Sequence, residues 1–564
     1  MHENFRFFIT TDKHPKWPMS IVEQCIKFTT EPPVGIKAGL KRTFGGMDNQ
    51  RLETVSAWQW RKMLYSVCFL HRALQDRRRY GRIGWGIPYK FSDGDMEASL
   101  SFIQNYLDEL PAKKPVSWKT IHYQIGEVQY GGRVSDERDR TLLKSLVEVW
   151  LNEDIFEDKF AFAKGYSMPH DSKYWRNGFK SLITHSDNTL PSVDKPEAVG
   201  LHPNAGINTR KIEGDTMLNT ILSIQPKESS SGGSGESRED VVKAQAQGML
   251  AKLPAKIPGY KVNELFLAKH AVHNGWIHEP GLPMSILLRQ ELGYFWKVAE
   301  KVQLTLESLI LAVDGLVVMS DNLRDAFDAI YDGKIPQAWI KGSWESSTLG
   351  FWFTELTERW EQLSSWLFKG LPTSFRLGSF FNKNAFLTAI LQESGIQNAS
   401  WTLDKIKLKV EVTKYSLPKE VTRKQYPDDV IPPRPSEFFV HDLWLEGARW
   451  DKKKNSLAKQ SPKVLHEELP ILKCYGLQEN KNSGVDKSLY ECPVYENSSR
   501  TDLTFVTMIS LNCPKIVKKP GAPSAKKKGG GDADGETVKG AVQLSTSDMR
   551  YWQLQGTAII CNTN

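Results

Sequence analysis

The hydrophobic period of this chain changes after Trp401, and that change sets what its two parts can fold into. Up to Trp401, apolar residues recur at three- and four-residue spacing. Ala57 to Arg79 carries Trp60, Met63, Leu64, Val67, Leu70 and Leu74, and Leu142, Leu143, Leu146, Val147, Trp150 and Leu151 follow the capping candidates Ser135 and Asp136. Ser285 to Met319, Leu323 to Tyr331 and Leu349 to Leu367 repeat the pattern, which predicts amphipathic helices. After Trp401, Lys405 to Val412 alternates strictly: Ile406, Leu408, Val410 and Val412 share one face, Lys405, Lys407, Lys409 and Glu411 the other. This is the signature of a half-buried strand. Phe438 to Leu445, Leu469 to Tyr475, Leu489 to Tyr495, Thr504 to Leu511 and Tyr551 to Cys561 read as further short strands. A helical layer followed by an antiparallel sheet or small barrel is the expectation.

The opening segment breaks this scheme. Phe5 to Ile9 reads as a short buried strand, followed by Thr10, Thr11 and Asp12, a helical stretch Met19 to Lys27 and the extended Lys27 to Pro33. A strand needs neighbours, so the opening is expected to be the tail of an α/β domain whose earlier part precedes this sequence. With 564 residues, at about 150 per domain, three or four units are expected. The fold class is α+β multidomain, divided as a partial α/β segment over 1–46, a helical unit over 47–190, a helical layer over 191–400 and the antiparallel β-barrel over 401–564. Pro191 to Asn208 is a turn-rich connector. Lys227 to Asp240 is a Ser/Gly surface loop, and Lys515 to Glu536, with Lys518, Lys519, Lys526, Lys527 and Lys528 ahead of its run of glycines, a mobile hairpin loop.

Composition excludes more than it identifies. A formal charge of +8 over this length is too thin for nucleic-acid binding without a local patch. The six cysteines are far apart, which suits reduced thiols in an intracellular protein. The N-terminus lacks a signal-peptide pattern, and Glu307 and Asp314 interrupt the most apolar run, Val302 to Met319, so no membrane partner is expected. No GxxxxGK[ST] phosphate loop occurs: Gly333-Lys334 is followed by Ile335, and Gly81, Gly84 and Gly86 are turn formers in the wrong order for a dinucleotide fingerprint. His270, His273 and His278 have no nearby cysteine and no HExxH pattern, so a metal site is not expected. GxSxG is absent. Arg77, Arg78 and Arg79 read as a helix terminus, cations complementing the dipole before Gly81. No complete catalytic constellation emerges.

Several stretches resemble, in order, the C-terminal end of a dynein heavy chain. FRFFITTDKHPKWPMSIVEQCIKFTTEPPVGIKAGL resembles the end of the sixth AAA module. Cys68 to Asp95 and Gly126 to Leu143 resemble its helical lid. Val199 to Ile207 (VGLHPNAGI), Gly315 to Trp339, Ser379 to Glu393, Leu443 to Asp451 (LWLEGARWD) and Glu491 to Tyr495 (ECPVY) are similar to signatures of the C-terminal domain. Ser343 to Leu356 looks most like axonemal heavy chains of the outer-arm gamma kind, while Arg376 stands where an aromatic would be usual. The resemblance implies part of an ATP-driven, minus-end-directed microtubule motor in the cytoskeleton of a cilium or flagellum. ATP and magnesium would belong to the parent motor, with no cofactor held by this segment. The implied partners are the rest of the AAA+ ring, intermediate and light chains and other heavy chains, with microtubules reached indirectly. The nearest relics of nucleotide contact would be Thr10 and Thr11 at a sensor position and Arg133 as a lid arginine. Two alternatives stand beside this: a free-standing interaction protein, and an ATP-binding module using Arg133.

Overall fold

The computed structural model describes residues 5–11, 17–28, 33–111, 114–158, 160–169, 174–175, 177–224, 237–255, 281–398, 400–421, 436–478, 488–515 and 544–563. Their apolar side chains gather into two large cores.

The first core is helical. Gln59–Arg77 runs through its centre and is buried on nearly every side, from Trp60 to Arg77, as a helix surrounded by others must be. Around it stand Ile36–Gly45, Asp93–Asp108, Glu137–Trp150 and Phe179–Thr189. Asp136 caps the Glu137 helix, accepting from Arg138 N at 2.8 Å and Asp139 N at 3.1 Å. Phe44 stacks on Tyr65 and Phe179, each at 5.7 Å, so Ile36–Gly45 packs into this body and its core begins before residue 46. The core continues to Ala205.

The expected buried strand at Phe5 to Ile9 is not formed. The segment is extended, Phe7 and Phe8 are 76% and 86% exposed, and no described strand lies beside it. A single strand without a ladder has nothing to hold it as sheet. The helix that follows is shorter than expected, Met19–Gln24.

The second core joins a helical layer to two sheets. Pro283–Val313, Leu349–Lys369 and Lys383–Gln397 form most of the layer, and Gly315, at φ 74°, ends the turn after the long helix. Trp352 stacks on Trp339 and Trp344 at 5.2 Å each, and the Arg359 guanidinium lies 3.8 Å from the Trp344 ring. Arg238–Lys252 packs on the long helix, capped by Ser237, so the last residues of the expected 227–240 loop begin a helix instead. The remainder of that loop, 227–236, and positions 516–536 of the lysine-rich loop lie outside the described residues. No helix among the described residues is long and apolar enough to cross a membrane.

One sheet has the spatial order Phe375–Arg376, Phe438–His441, Leu472–Gln478, Ile406–Val412; the other runs Phe505–Asn512, Leu489–Asn497, Ala558–Asn562, Leu443–Glu446, Glu467–Leu469. The backbone passes between them twice at sharp breaks. Phe438 to Leu445, expected as one strand, is two, broken at Asp442 with φ 61°; Leu469 to Tyr475 likewise divides after Leu469. Among the described residues the strands form these two mixed sheets and two antiparallel pairs, Ala161–Ala163 with Tyr166–Ser167 and Arg449–Asp451 with Ser456–Ala458, and no closed antiparallel barrel is found among them. Phe375–Arg376 pairs parallel with Phe438–His441, and Ala558–Asn562 parallel with Leu489–Asn497. Tyr551 to Cys561, expected as one strand, is not one: Met549–Leu554 is a short helix and only Ala558–Asn562 is strand.

Candidate functional site

The two cores meet along a seam, and its centre is a buried cation. Arg77, last residue of the central helix, is fully buried. Its guanidinium donates to three backbone carbonyls from three parts of the sequence: Nε to Gly84 O at 2.8 Å, Nη1 to Val199 O at 2.5 Å and Nη2 to Leu554 O at 3.0 Å. A planar fork of donors suits this three-way bridge as an ammonium would not. Burial lowers the Arg77 pKa to about 9, with the nearby Asp139 carboxylate opposing the shift, so the group stays charged at neutral pH. Asp139 is itself tied down, accepting from Gly86 N at 3.0 Å and Ile87 N at 3.1 Å. The turn that supplies the Gly84 carbonyl needs glycine there, since a Cβ would stand 2.0 Å from Arg77 O.

Asn204 makes the second bridge. Its Nδ2 donates to Ser461 O at 3.0 Å and Val464 O at 2.8 Å, while Oδ1 accepts from Lys463 N at 3.0 Å, so the buried amide pins the 461–464 loop. Further along, Ser145 Oγ donates to Gln553 Oε1 at 2.8 Å and Gln555 Nε2 to Gly200 O at 3.2 Å. Arg550 pairs with Glu148 at 3.0 Å. Arg138 pairs with Asp502 at 2.5 Å and lies 4.5 Å from the Phe505 ring. These ion pairs are partly exposed and worth little individually; the buried donors and apolar contacts carry the seam. A partly open pocket of about 10 Å³, room for one water, is lined by residues including His202, Asn204, Gln460 and Gln555.

The residues singled out for nucleotide contact sit elsewhere. Arg133 lies at the start of the Asp93 helix, where Nε donates to Asp95 Oδ1 at 2.6 Å and Nη2 to Ser92 Oγ at 3.3 Å. Burial would raise the Asp95 pKa, but the Arg133 and Ser92 donors outweigh it and hold the carboxyl below its usual range. Thr10 and Thr11 are exposed in the opening segment, Thr11 Oγ1 accepting from Trp17 Nε1 at 3.1 Å. His270, His273 and His278 lie outside the described residues. Among the described residues, no group of His, Cys, Asp and Glu could hold a metal ion.

Reading Arg77 as a dipole-complementing helix end missed its role, because two of its carbonyl partners are 122 and 477 residues away in sequence. A signal for Asn204 did exist: Val199, Gly200 and Asn204 all fall within VGLHPNAGI, and Gly200 adopts φ 82° where the backbone turns past the guanidinium.

The sequence profile of the C-terminal domain of dynein heavy chains matches residues 211–561, and that of the AAA lid domain of dynein heavy chains matches residues 60–205. The sequence is 44% identical over 511 residues to dynein axonemal heavy chain 5 of Mus musculus, an overlap of 91% of the present sequence and 10% of that protein. It is 36% identical over 519 residues to the dynein gamma chain, flagellar outer arm, of Chlamydomonas reinhardtii (91% of the present sequence, 11% of that protein), and 30% identical over 564 residues to dynein axonemal heavy chain 1 of Homo sapiens (100% and 12%). It thus spans about a tenth of the length of the curated relatives it matches.

Proposed function

The chain belongs to the dynein heavy chain family, and from that premise we propose that it is the C-terminal part of an axonemal, outer-arm heavy chain, acting as a structural and regulatory plate on the AAA+ ring of a microtubule motor. The proposed place of work is the axoneme of a cilium or flagellum. ATP hydrolysis and microtubule binding would belong to other parts of the longer protein, with ring modules and accessory chains as partners. We read the two sheets, whose outer strands Ile406–Val412 and Phe505–Asn512 adjoin, as the halves of the barrel expected from the sequence.

The observation that carries the plate reading is the seam. A body that transmits force between ring modules must not shear internally, and close-packed interiors pass strain on instead of absorbing it. Here a buried asparagine beside the first core holds the 461–464 loop through backbone carbonyls, and a buried arginine of the first core holds the carbonyl of Leu554, on the short helix whose Trp552 lies in the second core. Arg133, held by Asp95, favours a structural role over nucleotide binding. In the parent heavy chain, removal of residues 206–564 should alter microtubule gliding velocity or stall force; a motor with unchanged velocity, force and ring stability would overturn the plate reading.

A further inference from the structure

Residues 545–562 touch both cores within a few turns of backbone. Asp548 caps Met549–Leu554, accepting from Arg550 N at 2.9 Å. On this single helix Trp552 is fully buried in the second core, while Leu554, two positions on, is buried in the first. At about 100° per residue the two side chains point about 200° apart, so one short helix fills a gap in each body. Its end is bound to the first body by Arg77 Nη2 to Leu554 O and Gln555 Nε2 to Gly200 O. Gly556, at φ 66° against Ile83, then redirects the backbone.

The segment next enters the second body as a strand. Ala558–Asn562 is the middle strand of five, parallel to Leu489–Asn497 with Val494 opposite Ile559, and antiparallel to Leu443–Glu446 with Leu445 opposite Ile559. Ala558, Ile559 and Ile560 are wholly buried. Without it, the strands on either side would lose their shared ladder partner and the first core would lose Leu554.

We propose that residues 545–562 are a strap occupying a peptide-accepting cleft between the two bodies, and that its insertion couples them into one cooperative unit. The cleft is specific for an extended apolar strand preceded by one helical turn that presents apolar groups on opposite sides. The strap can therefore be supplied in trans as a separate peptide of the same sequence. This inference rests on the seam geometry and does not depend on the motor reading.

The test compares the 564-residue protein with one ending at residue 544. The 564-residue protein should unfold in a single calorimetric transition and the shortened one in two. A synthetic peptide of residues 545–563, but not its scrambled counterpart, should bind saturably at one per molecule and restore the single transition. A shortened protein that keeps the single transition at the same midpoint, or that folds but ignores the peptide, overturns the proposal. Should the shortened protein aggregate, Leu554→Ala in the 564-residue protein decides: amide exchange in Glu137–Trp150 should quicken at least tenfold with Ala558–Asn562 still protected. Unchanged exchange in that helix overturns the strap.

Discussion

His71 shows how a single buried residue ties stability to pH. It is wholly buried in the first core, 3.0 Å from Tyr130 OH through Nδ1, with Gln75 Nε2 at 3.0 Å and Asp93 Oδ1 at 3.3 Å from Nε2. Burial, reinforced by the Arg72 charge and opposed by Asp93 and Asp95, lowers its pKa to about 4. In the unfolded state the ring protonates near its ordinary value, about 6.5. Between the two values the unfolded state binds the extra proton, so stability is complete above pH 6.5 and is lost as pH falls toward 4, by about 3 kcal/mol at most. Urea midpoints measured from pH 7 to pH 4.5 should fall, and His71→Gln should remove this residue's share of the slope. An unaltered slope in the variant would assign the acid sensitivity to other groups.

At the scale of elements, helices are positioned by groups that reach their ends from outside. Glu291, fully buried on Pro283–Val313, accepts from Phe381 N at 2.7 Å and Asn382 N at 2.9 Å, just where Lys383–Gln397 begins. Replacing it by Leu strands two buried N–H donors, and Glu291→Leu should cost about 2–4 kcal/mol in chemical denaturation, with Glu291→Gln costing less because one acceptor survives. Elements of this kind were legible in the sequence wherever one apolar face meets one core. Ala57 to Arg79 became Gln59–Arg77, and Lys405 to Val412 became Ile406–Val412. The reading of Tyr551 to Cys561 as one strand went wrong for a physical reason. Trp552 and Leu554 alternate with polar neighbours as in a strand, but they do so on a helix wedged between two cores, where apolar groups are needed on both sides. Phe5 to Ile9 misled in the opposite way, since an apolar run marks a strand only where a ladder partner is present. Asn204 sat inside a motif visible in the sequence, whereas nothing local to Arg77 pointed to carbonyls so distant in sequence.

For the whole molecule, two cores held by a few backbone-directed donors should behave as one body only while those donors remain. Arg77→Met keeps much of the apolar stem but leaves the carbonyls of Gly84, Val199 and Leu554 without their donor, at a cost of about 3 kcal/mol. Calorimetry should show the first core melting ahead of the second. Arg77→Lys should rescue only part of the loss, because an ammonium cannot span three divergent acceptors; full rescue by lysine would mean that charge, not geometry, holds the seam. The order of strands in the sequence also bears on biosynthesis. Leu443–Glu446 and Leu489–Asn497 leave the ribosome before the strand that lies between them, so during translation each presents an open edge with apolar side chains. Unpaired edges of this kind recruit other polypeptides, and the nascent protein needs chaperone cover until Ala558–Asn562 emerges and closes the gap.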